Sequence, residues 1–154
     1  MTFFLLALLI GVVAGLRTMM APAMVSWAAH LGWLDLSGTW LAFFGSAWAR
    51  WILTLLVLVE LVTDQLPSTP SRTVPFQFGA RIITGALSGA AIGAGSGAMV
   101  GGLIAGIIGA VIGTLGGHAF RAWLAKAFGS DRPAALIEDA IAIGGALLIG
   151  FALR

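Results

Sequence analysis

GALSGAAIGAGSGAMVGGLIAGIIGAVIGTLGG, residues 85 to 117, decides how this chain folds. Every fourth position in it is small: Gly85, Gly89, Gly93, Gly97, Gly101, Ala105, Gly109, Gly113 and Gly117, in a background of Ala, Ile, Leu and Val. Spacing of four lays small side chains along one helical stripe. Two backbones can then approach closely enough for van der Waals and Cα–H contacts to hold them in lipid, a solvent that supplies no hydrophobic drive between helices. Such a stripe packs helices within one chain or forms a homodimer face. The stretch reads as membrane-embedded helix.

Working outward, the composition agrees. Of 154 residues 60% are hydrophobic and 9% charged, with a mean hydropathy of +1.05, against the roughly half-apolar, quarter-charged mix of soluble domains. Residues 1–154 are expected to form a single integral membrane domain of five or six hydrophobic segments, each of ~20 residues. That leaves no room for a separate soluble catalytic domain. The net charge is +2 and the pI near 10.5, but the eight basic residues are scattered and several lie inside apolar runs, so nucleic acid is not an expected partner. There is no cysteine, hence no disulfide, thiolate metal site or cysteine nucleophile. Residues 3–14 are apolar and Ala21-Pro22-Ala23 faintly resembles a cleavage site. Met1-Thr2 supplies no basic n-region, however, and the segment is expected to stay in the mature protein.

The first apolar stretch, residues 3–31, is interrupted by Gly15-Leu16-Arg17-Thr18 and by Pro22. One helix would run ~40 Å, longer than a ~30 Å hydrocarbon core, and two halves would each fall short of it. A kinked span and a hairpin both fit. The broken pair is preferred, with Gly15 as a helix C-cap and Thr18 as an N-cap. Residues 31–40 form a polar connection between Trp33 and Trp40, and residues 41–66 make a span. Pro67 to Arg72 is a loop, a span covers about 76–94, Gly95-Ser96-Gly97 turns the chain, and a helix covers about 99–126. Ser130 to Pro133 starts the last helix, which continues to about 153. Arg72 and Arg81 flank one connection, and Arg121, Lys126 and Arg132 another, whereas 31–40 and 95–98 carry no Lys or Arg. The positive-inside rule therefore puts the basic connections in the cytoplasm and the C-terminus outside. Residues 3–66 and 76–153 also suggest a 3+3 inverted repeat, in which Gly11-x-x-x-Gly15 answers Gly85-x-x-x-Gly89.

This all-α, polytopic membrane bundle concentrates charge in one half. Glu60, Asp64, Arg81, His118, Arg121, Glu138 and Asp139 fall on the cytoplasmic side and Arg17, at the break in the first stretch, can join them; these eight are the candidate substrate- or ion-binding residues. An ionisable group costs at least ~2.5 kcal/mol near a helix centre and normally faces the bundle interior with a partner. Glu60 and Asp64, spaced i and i+4, share a helix face. They are either a proton- or cation-binding pair or members of a structural bridge with Arg17 or Arg81. Arg17 at a helix break is suited to hold a carboxylate or phosphate, unless Glu60 or Glu138 locks it. His118 suits a proton relay or interfacial hydrogen bonding. Glu138 and Asp139 sit behind the positive end of the last helix. Neither a His-x-x-x-His nor a Glu-x-x-His pair is present, and no cofactor loop or serine nucleophile motif is found, so no metal, cofactor or catalytic residue is expected and the chain is not read as an enzyme.

Gly15-Leu16-Arg17 followed by Pro22, Glu60-x-x-x-Asp64-x-x-Pro67, Gly116-Gly117-His118 with Arg121, and Glu138-Asp139-Ala140 together resemble the motifs of a bacterial inner-membrane family known as domain of unknown function 4126. Gln65 stands where members commonly carry a lysine. The resemblance spans nearly the whole chain and implies a multi-pass protein of the bacterial inner membrane, without implying an activity. The expected function is a small-solute or ion transporter or channel with a charged cup in the cytoplasmic half, in which Arg17 holds an anionic group and Glu60 or Asp64 carries a coupling proton. The rival is a membrane scaffold or lipid-binding protein whose ion pairs are structural.

Overall fold

The computed structural model describes residues 1–154 and contains helices only: α1 (Thr2–Leu16), α2 (Met20–His30), a short 3-10 helix (Trp40–Gly45), α3 (Ala47–Thr63), α4 (Pro75–Ala94), α5 (Met99–Phe128) and α6 (Asp131–Leu153). α5 and α6 are long and apolar enough to cross a membrane.

The first apolar stretch is two helices. Arg17 adopts φ −138° and ψ 116°, an extended geometry that stops α1, and α2 restarts at Met20. At 1.5 Å per residue α1 is ~22 Å long and α2 ~16 Å. The expected caps are corrected in both places. Gly15 lies inside α1, where a Cβ would stand 2.5 Å from the Ala110 carbonyl oxygen, so its missing side chain serves the approach to α5. Thr18 is not a side-chain cap, because Met19 takes the N-cap position of α2 without a capping side chain. Residues 41–66 are likewise not one continuous helix: Gly45-Ser46 breaks the segment, and Ser46 Oγ caps α3 by accepting from Ala49 N at 3.2 Å.

Pro75 opens α4, where its missing N–H costs nothing. Gly97, at φ +73°, turns the chain into α5, and Gly129, at φ +68°, ends α5 in the left-handed region. In the connection before the 3-10 helix, the Asp35 carboxylate accepts from Ser37 N at 2.9 Å and Ser37 Oγ at 2.5 Å. These bonds hold its carboxyl below the usual carboxylate range.

α1 lies against α5 on one side and α4 on another, and also touches α2 and α6. Glycines stand at the closest approaches: a Cβ on Gly89 would fall 2.8 Å from Gly106 Cα, and one on Gly85 the same distance from the Gly106 carbonyl oxygen. Gly11 of α1 meets the backbone of Gly106 too, so this glycine of α5 has a helix on either side. The apolar core is built of Leu6, Ile10 and Val13 of α1, Val25 of α2, Ile92 of α4 and Ile149 of α6. The outer surface is apolar as well, with Trp48, Trp51, Leu55, Leu58 and Val62 exposed along α3 and Val100, Ile104, Ile108 and Ile112 along α5. Arg17 heads the fully buried side chains by size, and Glu138 is among them. The C-terminal ends of α1, α3 and α5 meet the N-terminal ends of α2, α4 and α6 around these charges.

Candidate functional site

A break inside a bundle leaves carbonyls unpaired at the end of one helix and N–H groups at the start of the next. A charged side chain meets each end here. At the positive end of α2, Glu60 accepts from Thr18 N at 2.6 Å and Met19 N at 2.8 Å. At the negative end of α1, Arg81 Nη1 donates to the carbonyls of Gly15 at 2.8 Å and Leu16 at 2.9 Å. Each charge matches the sign of the helix terminus it meets. The hairpin tip, Arg17 to Met19, is thereby fastened to α3 on one side and α4 on the other.

Arg17 is fully buried. Its Nε donates to Asp139 Oδ1 at 2.5 Å, its Nη1 donates to Asp64, and its Nη2 also pairs with Asp139. Glu138 lies 3.9 Å from Nη2. Arg17 therefore does not pair with Glu60, and Glu138 is the most distant of the three carboxylates within 4.0 Å of it. Asp64 is reached because it lies one helical turn beyond Glu60 on the same face of α3. Glu138 instead takes Arg72 as a bidentate partner, with Nη2 at 2.7 Å, and lies 3.5 Å from Arg121 Nη1. A Cβ on Gly117 would lie 3.0 Å from Arg72 Nη1 and 3.2 Å from Glu138 Oε1, so a glycine of α5 makes room for this pair. Arg121 closes the rim by donating to Asp131 from Nε at 2.9 Å and Nη2 at 2.6 Å, and from Nη2 to the Asp64 carbonyl at 3.3 Å.

Seven of the eight residues singled out in the sequence thus enter one hydrogen-bonded cluster, and the eighth, His118, stands exposed at its edge. Arg72, Gln65 and Asp131 were not among them. Arg72 carried a topological signal only, as a basic residue after a double-proline loop, and that loop folds it back to Glu138. Gln65 donates from Nε2 to Asp139 Oδ2 at 3.0 Å, and its signal was its place directly after the Glu60-x-x-x-Asp64 motif. Asp131, in the stretch that starts the last helix, faces Arg121 ten residues earlier, across the α5–α6 turn. Five of the six carboxylates in the chain, all but Asp35, belong to the cluster.

Above the cluster a cleft of about 320 Å³ opens to the surface, lined by polar residues that include Arg72, Arg81, His118, Arg121, Asp64 and Gln77. A second cavity of about 180 Å³, between α2, α3 and α6, is lined by apolar groups including Met24, Trp27, Val57 and Leu147. Near the far end of α3, the Arg50 guanidinium lies over the rings of Trp27 at 5.3 Å and Trp51 at 5.6 Å.

The fold and cluster define a class: an all-helical bundle with an apolar outer surface and a buried arginine–carboxylate network at a helix break. The chain belongs to the family described as Domain of unknown function (DUF4126), whose profile matches residues 4–152. No curated protein and no solved structure matches it.

Proposed function

We propose that the chain is a multi-pass inner-membrane protein that moves a small solute or ion through the bundle, with the polar cleft as its cytoplasmic vestibule. One observation carries this reading. Two helices, each too short to cross a ~30 Å hydrocarbon core, meet at a break whose ends are held by Glu60 and Arg81, and Arg81 also lines the open polar cleft beside that break. Non-helical backbone at membrane depth is tolerated where it is packed in protein or lines a wet cavity, and discontinuous helices of this kind form the binding sites of many secondary transporters. The apolar exterior and the collection of Arg72, Arg81, Arg121, Lys126 and Arg132 near one end support the embedding and its direction. In this reading the glycine contacts among α1, α4 and α5 are the packing device of a bundle in lipid. The opposed directions of α1, α2 and α3 against α4, α5 and α6 respectively support reading the two halves as an inverted repeat.

The gate is the fastening of α3 to the hairpin tip. Protonation of Glu60 removes the charge from the two bonds it accepts from Thr18 N and Met19 N, and charge-assisted bonds are about twice as strong as neutral ones. Protonation of Asp64 does the same to its bond with Arg17. Either event loosens α3 from the tip, which couples a proton to opening. The test is charge movement and solute uptake in proteoliposomes under pH jumps, comparing wild type with Glu60→Gln. Currents in wild type that lose their pH dependence in the variant support the gate; currents unchanged by Glu60→Gln remove Glu60 from the mechanism.

The scaffold or lipid-binding reading is favoured by one observation: each of the five carboxylates in the cluster already has a donor within the chain. Absence of flux in wild type and variant alike, in folded and correctly inserted protein, decides for it.

A further inference from the structure

Of the four arginines around the cluster, Arg17, Arg72 and Arg121 each lie within 4.0 Å of a carboxylate. Arg81 does not. It is 3% exposed, spends Nη1 on the carbonyls of Gly15 and Leu16, and keeps a buried Nε with no hydrogen-bond partner. Buried polar groups are rarely left unpaired, and a buried cation without a counter-ion carries a large desolvation cost. The carbonyl end of α1 offsets only part of a full charge, because a helix terminus carries about half a charge. Arg81 also lines the 320 Å³ cleft, so a counter-ion can approach its guanidinium from outside the bundle, where Nη2 makes no hydrogen bond within the chain although Nε itself is buried. Its neighbours there reinforce the sign. Arg72 and Arg121 share the wall, Ser71 and His118 offer further donors, and the two acidic groups of the lining, Asp64 and Asp131, are already occupied by Arg17 and Arg121.

We propose that the cleft binds an oxyanion, a phosphate or carboxylate group, against the guanidinium of Arg81. A guanidinium edge presents parallel donors that match both anions, and a water molecule in the same place would satisfy the hydrogen bond without neutralising the charge. The group arrives either on a dissolved anion or on the headgroup of an anionic lipid at the mouth of the cleft. The inference deepens the transport reading by naming its substrate class, and rests on that reading only for what happens to the anion after it binds.

Gln77 gives a variant that tests the site without dismantling the hairpin tip. It lines the cleft one turn before Arg81 on the same face of α4, so Gln77→Glu supplies the missing carboxylate in the favourable order, acid four residues before base. Wild type, Gln77→Ala and Gln77→Glu are placed in neutral phosphatidylcholine nanodiscs and melted with and without inorganic phosphate or acetate, then in phosphate-free discs containing phosphatidic acid. A melting temperature raised by dissolved phosphate or acetate in wild type and Gln77→Ala, with at least tenfold weaker apparent affinity in Gln77→Glu, supports a free oxyanion. The same pattern with phosphatidic acid alone supports a lipid headgroup. The site is overturned if neither source stabilises the wild type, or if Gln77→Glu responds as the wild type does. Melting is read without flux, so the two proposals fail separately: binding without transport leaves the site on a non-transporting protein, and transport without binding leaves the transporter and removes this substrate class.

Discussion

A guanidinium with no exposed surface has to find its counter-charges inside the fold, and Arg17 finds them on two helices, Asp64 of the α3 end and Asp139 of α6. Removing one member of a buried ionic group costs ~3–5 kcal/mol because it strands the others. Arg17→Ala is therefore expected to lose stability of that order, and Arg17→Lys to lose part of it, since an ammonium cannot span two carboxylates with a planar fork. Thermal unfolding in detergent measures both. In a double-mutant cycle, Arg17→Ala with Asp64→Ala should cost less than the sum of the single changes; simple additivity would show that the pair is not coupled. The sequence showed that Arg17 needed a partner, because an arginine inside an apolar run has no water to turn to. It did not show which one. Glu138 and Asp139 differ by ~100° around α6, and only the packed orientation of that helix turns Asp139 toward Arg17 and Glu138 toward Arg72.

At the scale of elements, the break near Arg17 was legible because Gly, Arg and Pro interrupt an apolar run too long for one span. The caps were misplaced because Gly15 serves a helix crossing, a long-range requirement that local cap preferences do not carry. α3 stands apart from the other helices of the bundle: it has no fully buried residue. It is held by its Trp27–Thr54 hydrogen bond to α2 at 3.0 Å and by the Glu60 and Asp64 fastenings at its end. Few buried contacts mean a low free energy of local opening. Amide hydrogen exchange in nanodiscs is thus expected to be faster along α3 than along the central segments of α1 and α5, and Glu60→Ala should raise it further in the last turns of α3. Protection in α3 equal to that of α5, or indifferent to Glu60→Ala, would mean that α3 is not the moving element of the proposed gate.

For the whole molecule, composition fixed the class because a chain with so few charged residues must place apolar side chains on its surface, as Leu55 of α3 and Ile108 of α5 show. The cleft was not legible in the same way, since it exists only where the loop from Pro67 to Arg72 folds back over α4 and α5. The direction proposed for it in the membrane rests on charge: the cleft end carries Arg72, Arg81, Arg121, Lys126 and Arg132, while residues 31–40 and 95–98 at the opposite end have no Lys or Arg. Because the chain has no cysteine, single cysteines introduced at Ser37 and His118 report this direction cleanly. Both positions are exposed, Ser37 in the connection after α2 and His118 in the cleft. In intact bacterial cells with a permeabilised outer membrane, a thiol reagent that does not cross the inner membrane should label Ser37→Cys, and should reach His118→Cys only after the inner membrane is opened. The opposite pattern would turn the cleft outward, making it a receptor for periplasmic solutes and reversing the gradient from which any coupling proton enters. Labelling of both positions in intact cells would mean that the bundle conducts the reagent or does not seal. In that case the cleft would belong to a pore, and Arg17 with its two carboxylates would line an open path rather than close it.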